Sequence, residues 1–111
     1  MVRTRGEDGA LDAFLQALQE RLKDCLRQVI LFGSRSRGDN EPDSDYDCLV
    51  ILDEVSPQVR ESIDEVVGEI LYQYNAVFSV HPVSEERYLR RVYDPLLMNV
   101  RREGITLWTK A

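Results

Sequence analysis

Residues 31–47, Leu-Phe-Gly-Ser-Arg-Ser-Arg-Gly-Asp-Asn-Glu-Pro-Asp-Ser-Asp-Tyr-Asp, constrain the fold more than any other stretch. The apolar run 29–32 stops at Gly33-Ser34, Arg35 and Arg37 follow at alternate positions, and an acidic loop leads to Asp45-x-Asp47. A second apolar run, 48–52, begins at once. The pattern is strand, tight turn, basic loop, strand. Side chains alternate across a strand, so Asp45 and Asp47 project from one face at its start. Two carboxylates that close repel each other unless a cation lies between them, and oxygen-only ligands suit magnesium or manganese. Gly33 lets the backbone approach a ligand closely, while Ser34 and nearby amides can donate to phosphate oxygens. Arg35 and Arg37 add charge-assisted donors for the same oxygens. One segment offers both a metal site and a polyphosphate cradle, which is nucleotide chemistry.

Three other readings use the same residues. Gly33-x4-Gly38 imitates a P-loop, but Asp39-Asn40 stand where Lys-Ser/Thr is required and no apolar helix follows. Asp43, Asp45, Asp47 and Glu54 fall at positions 1, 3, 5 and 12 of a calcium-binding loop. There Cys48 replaces the turn glycine, and the rest would be an apolar run that favours a strand. The plainest alternative is a solvated acidic turn with salt-bridged arginines.

Gly33-Ser34, ten residues, then Asp45-x-Asp47 resembles the signature of the DNA polymerase beta-like nucleotidyltransferase superfamily. The wider text, GSRSRGDNEPDSDYD, is most similar to its minimal (MNT) branch, small proteins often partnered with HEPN-domain toxins. The resemblance implies transfer of a nucleoside monophosphate from ATP, or another nucleoside triphosphate, to a hydroxyl, with pyrophosphate leaving. It implies Mg2+ (or Mn2+) held by Asp45 and Asp47, and Gly33 and Ser34 against the β and γ phosphates. Arg35 and Arg37 would neutralise the departing pyrophosphate. The family normally supplies a third carboxylate from the strand after the crossover helix. Here that strand reads Ala76-Val77-Phe78-Ser79-Val80-His81, with no acid. Ser79 falls at the third-acid position with His81 beside it. His81 is either a general base, since its ordinary pKa suits neutral pH, or a hydrogen-bonding structural histidine.

Two functions from different classes follow from that departure. One is a magnesium-dependent nucleotidyltransferase acting as the antitoxin of a HEPN/MNT pair and modifying its protein partner. The other is an inactive or weak nucleotide-binding module that neutralises its partner by stoichiometric contact. Transfer to a small molecule such as an aminoglycoside lacks the extra domain that would build an acceptor pocket.

At 111 residues the chain suits one minimal nucleotidyltransferase domain, 1–111, with 1–9 frayed. Its 43% hydrophobic and 31% charged content is that of an ordinary soluble protein, expected in the cytoplasm. A formal charge of −6 argues against a broad nucleic-acid surface. No run approaches membrane-spanning length, and the start has no apolar core for a signal peptide. Cys25 and Cys48 read as two small buried thiols. A homodimer is left open.

The expected fold is α/β (α+β), a mixed sheet of about four strands flanked by helices in two or three layers. Apolar residues from Leu11 through Leu22, Cys25 and Leu26 recur at helical spacing. Strands are expected at 29–32, 46–52 and 76–83, with a crossover helix after Ser56-Pro57 making a βαβ unit. Residues 34–37 form a helical turn closed by Gly38, and Pro42 and Asp43 turn the loop. Ser84 caps a helix through Val92, Asp94-Pro95 starts another that Gly104 closes, and 105–108 are a final strand or extended tail.

Overall fold

The first helix, α1 (Gly9–Leu22), buries the stripe Leu11, Phe14, Leu15, Leu18 and Leu22. The computed structural model describes residues 9–41 and 44–111, so most of the expected frayed segment and the Pro42-Asp43 turn lie outside the described residues. Gly9 already belongs to α1. Apolar spacing carries the helix on to Cys25 and Leu26, but the chain leaves it at Leu22. Lys23 takes a left-handed φ of 50°, which a right-handed helix cannot continue. One 3-10 turn, Lys23–Cys25, follows, and the fully buried Leu26 opens β1 (Leu26–Phe32). The strand therefore begins three residues earlier than expected. Cys25 is half-buried in that turn, so only Cys48 is the buried thiol the sequence suggested.

The remaining strands are β2 (Tyr46–Leu52), β3 (Phe78–Ser84) and β4 (Ile105–Thr109). They form one mixed sheet in the order β3-β2-β1-β4. β1 runs antiparallel to both β2 and β4, and β2 runs parallel to β3 across the helix α3 (Pro57–Tyr74). The last segment is thus a paired strand rather than a tail. Among the described residues no helix is long and apolar enough to cross a membrane.

Alternation divides the sheet into two chemically distinct faces. Val29, Leu31, Tyr46, Cys48, Val50, Leu52 and Phe78 pack against α1 and α3. Ile30, Phe32, Leu49, Ile51 and Val83 pack against Leu97 and Val100 of α5 (Pro95–Glu103). Asp47 alternates with Tyr46 and Cys48, so it belongs to the α5 face at the start of β2. On the first face Phe14 stacks on Phe78 at 4.1 Å between ring centroids, and Phe78 stacks on Tyr46 at 4.4 Å. This aromatic column ties α1 to the start of β2.

Caps set the helix boundaries. Ser56 accepts from the Val59 N–H at 3.1 Å and Pro57 follows it, as its spacing predicts. Ser84 caps α4 (Glu85–Arg90), which stops two residues short of Val92. Asp94 then accepts from the Leu96 and Leu97 N–H groups at 2.9 and 3.3 Å to start α5.

Gly104 closes α5, but not as a left-handed cap. Its φ and ψ of −71° and 147° are extended. Glycine is needed there for space. A Cβ would run into the Val100 carbonyl oxygen and come within 2.6 Å of Ile30 Cγ2 on β1. Gly104→Ala should therefore cost about 1–3 kcal/mol by overpacking. Urea denaturation of the variant beside wild type checks this, and a loss under about 0.5 kcal/mol would contradict it.

Candidate active site

The site is built at one end of the central β1–β2 pair. After Phe32 the backbone at Gly33 takes φ 77° and ψ −157°, a region that a side chain disfavours. Space makes the same demand, because a Cβ on Gly33 would lie 2.6 Å from Asp47 Oδ2. The bare backbone of the turn therefore faces the Asp47 carboxylate directly. Residues Ser34–Arg37 form the short helical turn α2, and Gly38, at φ 81°, ends it by donating its N–H to the Ser34 carbonyl at 3.0 Å. Ser36 Oγ donates to the Gly33 carbonyl at 2.8 Å and pins the turn from within.

Register places the other candidates. Asp47 pairs with Phe32 on β1 and with Ser79 on β3. Ser79 thus stands beside Asp47, and His81, paired with Leu49, follows on the same face. The His81 and Phe32 rings lie 5.7 Å apart. Asp45 is exposed just before β2, while Asp47 is partly buried within it. Burial raises the Asp47 pKa above the ordinary carboxylate range, His81 pulls it back, and the like charge of Asp45 pushes it further up. These three groups share one electrostatic neighbourhood.

The two arginines diverge. The Arg35 guanidinium lies 3.8 Å over the Tyr46 ring, its Nε donating to the Ser44 carbonyl at 2.9 Å. It thereby caps the aromatic column and holds the loop in front of Asp45. The Arg37 Nε donates to Asp39 Oδ2 at 3.1 Å, and its Nη1 donates to both carboxylate oxygens of Glu103 at 3.2 and 3.1 Å. Glu103 Oε1 also accepts from the Gly33 N–H at 3.2 Å.

Glu103 is the residue that reading the sequence alone missed. It lies 66 positions from Arg37, so no local spacing links them. One signal was present: an acid on the last turn of a helix sits at the negative end of the macrodipole, where it needs compensation. A cleft of about 400 Å3 flanks the site along β3, lined by Leu49, His81, Pro82, Arg60, Arg87 and Leu97. His81 is the residue it shares with the site; neither Asp45 nor Asp47 is in its lining.

The nucleotidyltransferase domain family matches residues 11–96. The chain belongs to that family. This nucleotidyltransferase is 28% identical over 102 residues to a candidate protein adenylyltransferase of Methanocaldococcus jannaschii, covering 92% of this chain and 98% of the relative. A second such relative from the same organism is 35% identical over 92 residues, covering 83% and 89%. Its fold is shared with a toxin–antitoxin complex solved with AMP-PNP, at a TM-score of 0.66 and 21% identity over 89% of this chain and 73% of that one. It is shared also with a tri-AMPylated Shewanella oneidensis HEPN toxin in complex with its MNT antitoxin, at 0.60 and 19% over 91% and 71%. Against a spectinomycin adenyltransferase of Enterococcus, solved with ATP and spectinomycin, the TM-score is 0.70 at 14% identity, over 92% of this chain and 56% of that one.

Nucleotidyltransferases generally use divalent metal ions. The donor set here fits such an ion in part. Asp45 and Asp47 are oxygen ligands two residues apart, and Asp47 carries its charge against burial and against Asp45. Among the described residues, however, no group of three or more His, Cys, Asp or Glu side chains gathers. Two carboxylates leave most of the coordination to water and phosphate, as is usual for magnesium.

A stability test follows from the Asp47 shift. Because the folded pKa is raised, the unfolded chain loses this proton first as pH rises from about 4. Stability therefore falls through that window and stays lower above it. In metal-free buffer Asp47→Asn should melt higher than wild type at pH 7, and the gain should vanish below about pH 4. Thermal melts across pH check this; an Asn variant that melts lower at neutral pH would contradict it.

Proposed function

We propose that this chain, as one minimal nucleotidyltransferase domain, transfers a nucleoside monophosphate from ATP or another nucleoside triphosphate to a hydroxyl on a protein partner. The partner class is a HEPN-domain toxin, and the chain acts as its antitoxin in the cytoplasm. The observation that carries this is the Gly33 backbone seated against the Asp47 carboxylate, which joins the turn and the acids into one site. The relatives named for protein adenylylation and the folds found with an AMPylated HEPN toxin support the choice of acceptor.

In this proposal Asp45 and Asp47 hold Mg2+ or Mn2+. When bound, the ion offsets phosphate charge and favours the in-line arrangement of attacking and leaving oxygens. Gly33 and Ser34 face the β and γ phosphates, and Arg37, beside Gly33, adds a guanidinium for the departing pyrophosphate. Arg35 acts on the same nucleotide by holding residues 44–46, and with them Asp45, in place. The proton of the attacking hydroxyl needs an acceptor. His81, on the Asp47 face and with a serine rather than an acid at position 79, offers an imidazole nitrogen to take it.

A second reading has one observation in its favour. Ser79 stands beside Asp47 where the family normally supplies an acid, and a hydroxyl cannot replace that charge. The chain would then bind its partner and neutralise it by contact, with slow or no transfer.

Incubation with labelled ATP, magnesium and the HEPN product of a neighbouring gene separates the two. Label should pass to the partner with wild type, and Asp45→Asn or Asp47→Asn should reduce transfer at least about 100-fold, the loss expected for about 3 kcal/mol of transition-state stabilisation. An unlabelled partner in an undiminished complex would favour contact inhibition. Labelling that persists in both variants would overturn the site.

A further inference from the structure

Glu103 holds the donors that the proposed function gives to phosphate. Its carboxylate accepts from the Gly33 N–H at 3.2 Å and from Arg37 Nη1 at 3.1 and 3.2 Å. Its side chain is only 19% exposed. The carboxylate is carried there by the last residue of α5, and Gly104 fixes that helix end by packing on Ile30. Its position at the negative helix terminus is unfavourable unless cations and N–H groups compensate it. Two of the compensating groups belong to the turn of the active site.

We propose that Glu103 is an internal, displaceable occupant of the phosphate cradle. It keeps the Gly33 amide and Arg37 aligned in the empty enzyme, and the β and γ phosphates of an incoming nucleotide take its place. This inference rests on the nucleotide reading above. Arg37 suits such an exchange because Asp39 accepts from its Nε independently, so the guanidinium stays partnered when Glu103 leaves. Among the described residues the Gly33 N–H has no such second acceptor, and a phosphate oxygen supplies one. The occupant makes the cradle selective. A ligand with a polyphosphate tail can displace a carboxylate from two donors, whereas a monophosphate that leaves the cradle empty gains nothing from its departure. The apparent affinity for triphosphate is lowered by the fraction of molecules in which the cradle is closed.

Calorimetric titration of wild type and Glu103→Gln with ATP and with AMP, in magnesium, tests this. The variant should bind ATP about five- to tenfold more tightly, as expected if the cradle is closed about 80–90% of the time, with AMP affinity changed by less than about twofold. If Glu103 merely docks α5, the variant should melt lower and bind both ligands no better, which would overturn the proposal. A measurement on wild type guards against a variant that does not fold. The Glu103 side-chain carboxyl carbon and the Gly33 amide should shift together in NMR spectra as ATP is added, but not with AMP. A Glu103 resonance unmoved at ATP saturation would overturn the proposal. Absence of binding by both proteins would remove the nucleotide reading and this inference together, whereas wild-type binding that Glu103→Gln does not tighten removes only the inference.

Discussion

The approach of a side-chain-free backbone to a carboxylate governs this structure. At Gly33 the chain turns out of β1 with φ 77°, and the space a Cβ would fill is taken by Asp47 Oδ2. Any other residue would push the turn and the acid apart. With glycine there, N–H groups that can receive an anion stand beside an oxygen that can receive a cation. A nucleoside triphosphate with its metal presents that pair of charges. The rest of the domain keeps the two in register.

Each layer contributes to that register. The antiparallel pairing of β1 and β2 sets Asp47 opposite Phe32, one residue before the turn. The parallel pairing of β2 and β3 brings Ser79 and His81 onto the same face. On the opposite face the column of Phe14, Phe78 and Tyr46 continues into the Arg35 guanidinium, so burial in the core reaches the loop before Asp45. The exposed end of the site is thereby anchored by apolar packing rather than by its own hydrogen bonds alone. On the face that carries Asp47, α5 delivers Glu103 to the same turn. The site's unfavourable features, an Asp charged against burial and an acid at a helix terminus, are those expected where function rather than stability selects the residue.

Much of this was legible in the sequence because the decisive interactions are local or periodic. The turn of 34–37, its glycine closure at Gly38 and the span of β2 follow from residues that adjoin one another. So do the serine and aspartate caps, whose side chains reach only two or three residues ahead. The two-residue period of a strand put Ser79 and His81 on one face, and the family resemblance marked Ser79 as the third-acid position; the pairing of β2 with β3 sets it level with Asp47. What the sequence hid depends on backbone turns or on distant pairings. The apolar spacing of α1 ran on through Leu26 because a strand residue can fall by chance at helical spacing, and only the left-handed Lys23 breaks it. The helical turn over 34–37 was legible, but not that it sends Arg35 to Ser44 and Tyr46 and Arg37 to Asp39 and Glu103. Glu103 meets Gly33 only because α5 packs across the end of β1.

The most direct measurement is a crystal structure with magnesium and a non-hydrolysable ATP analogue. The account expects the phosphate tail against the Gly33–Ser34 backbone, with a cation between it and the Asp45 and Asp47 carboxylates. A nucleotide bound elsewhere at full occupancy, or an Asp47 carboxylate turned away from the Gly33 turn, would contradict it.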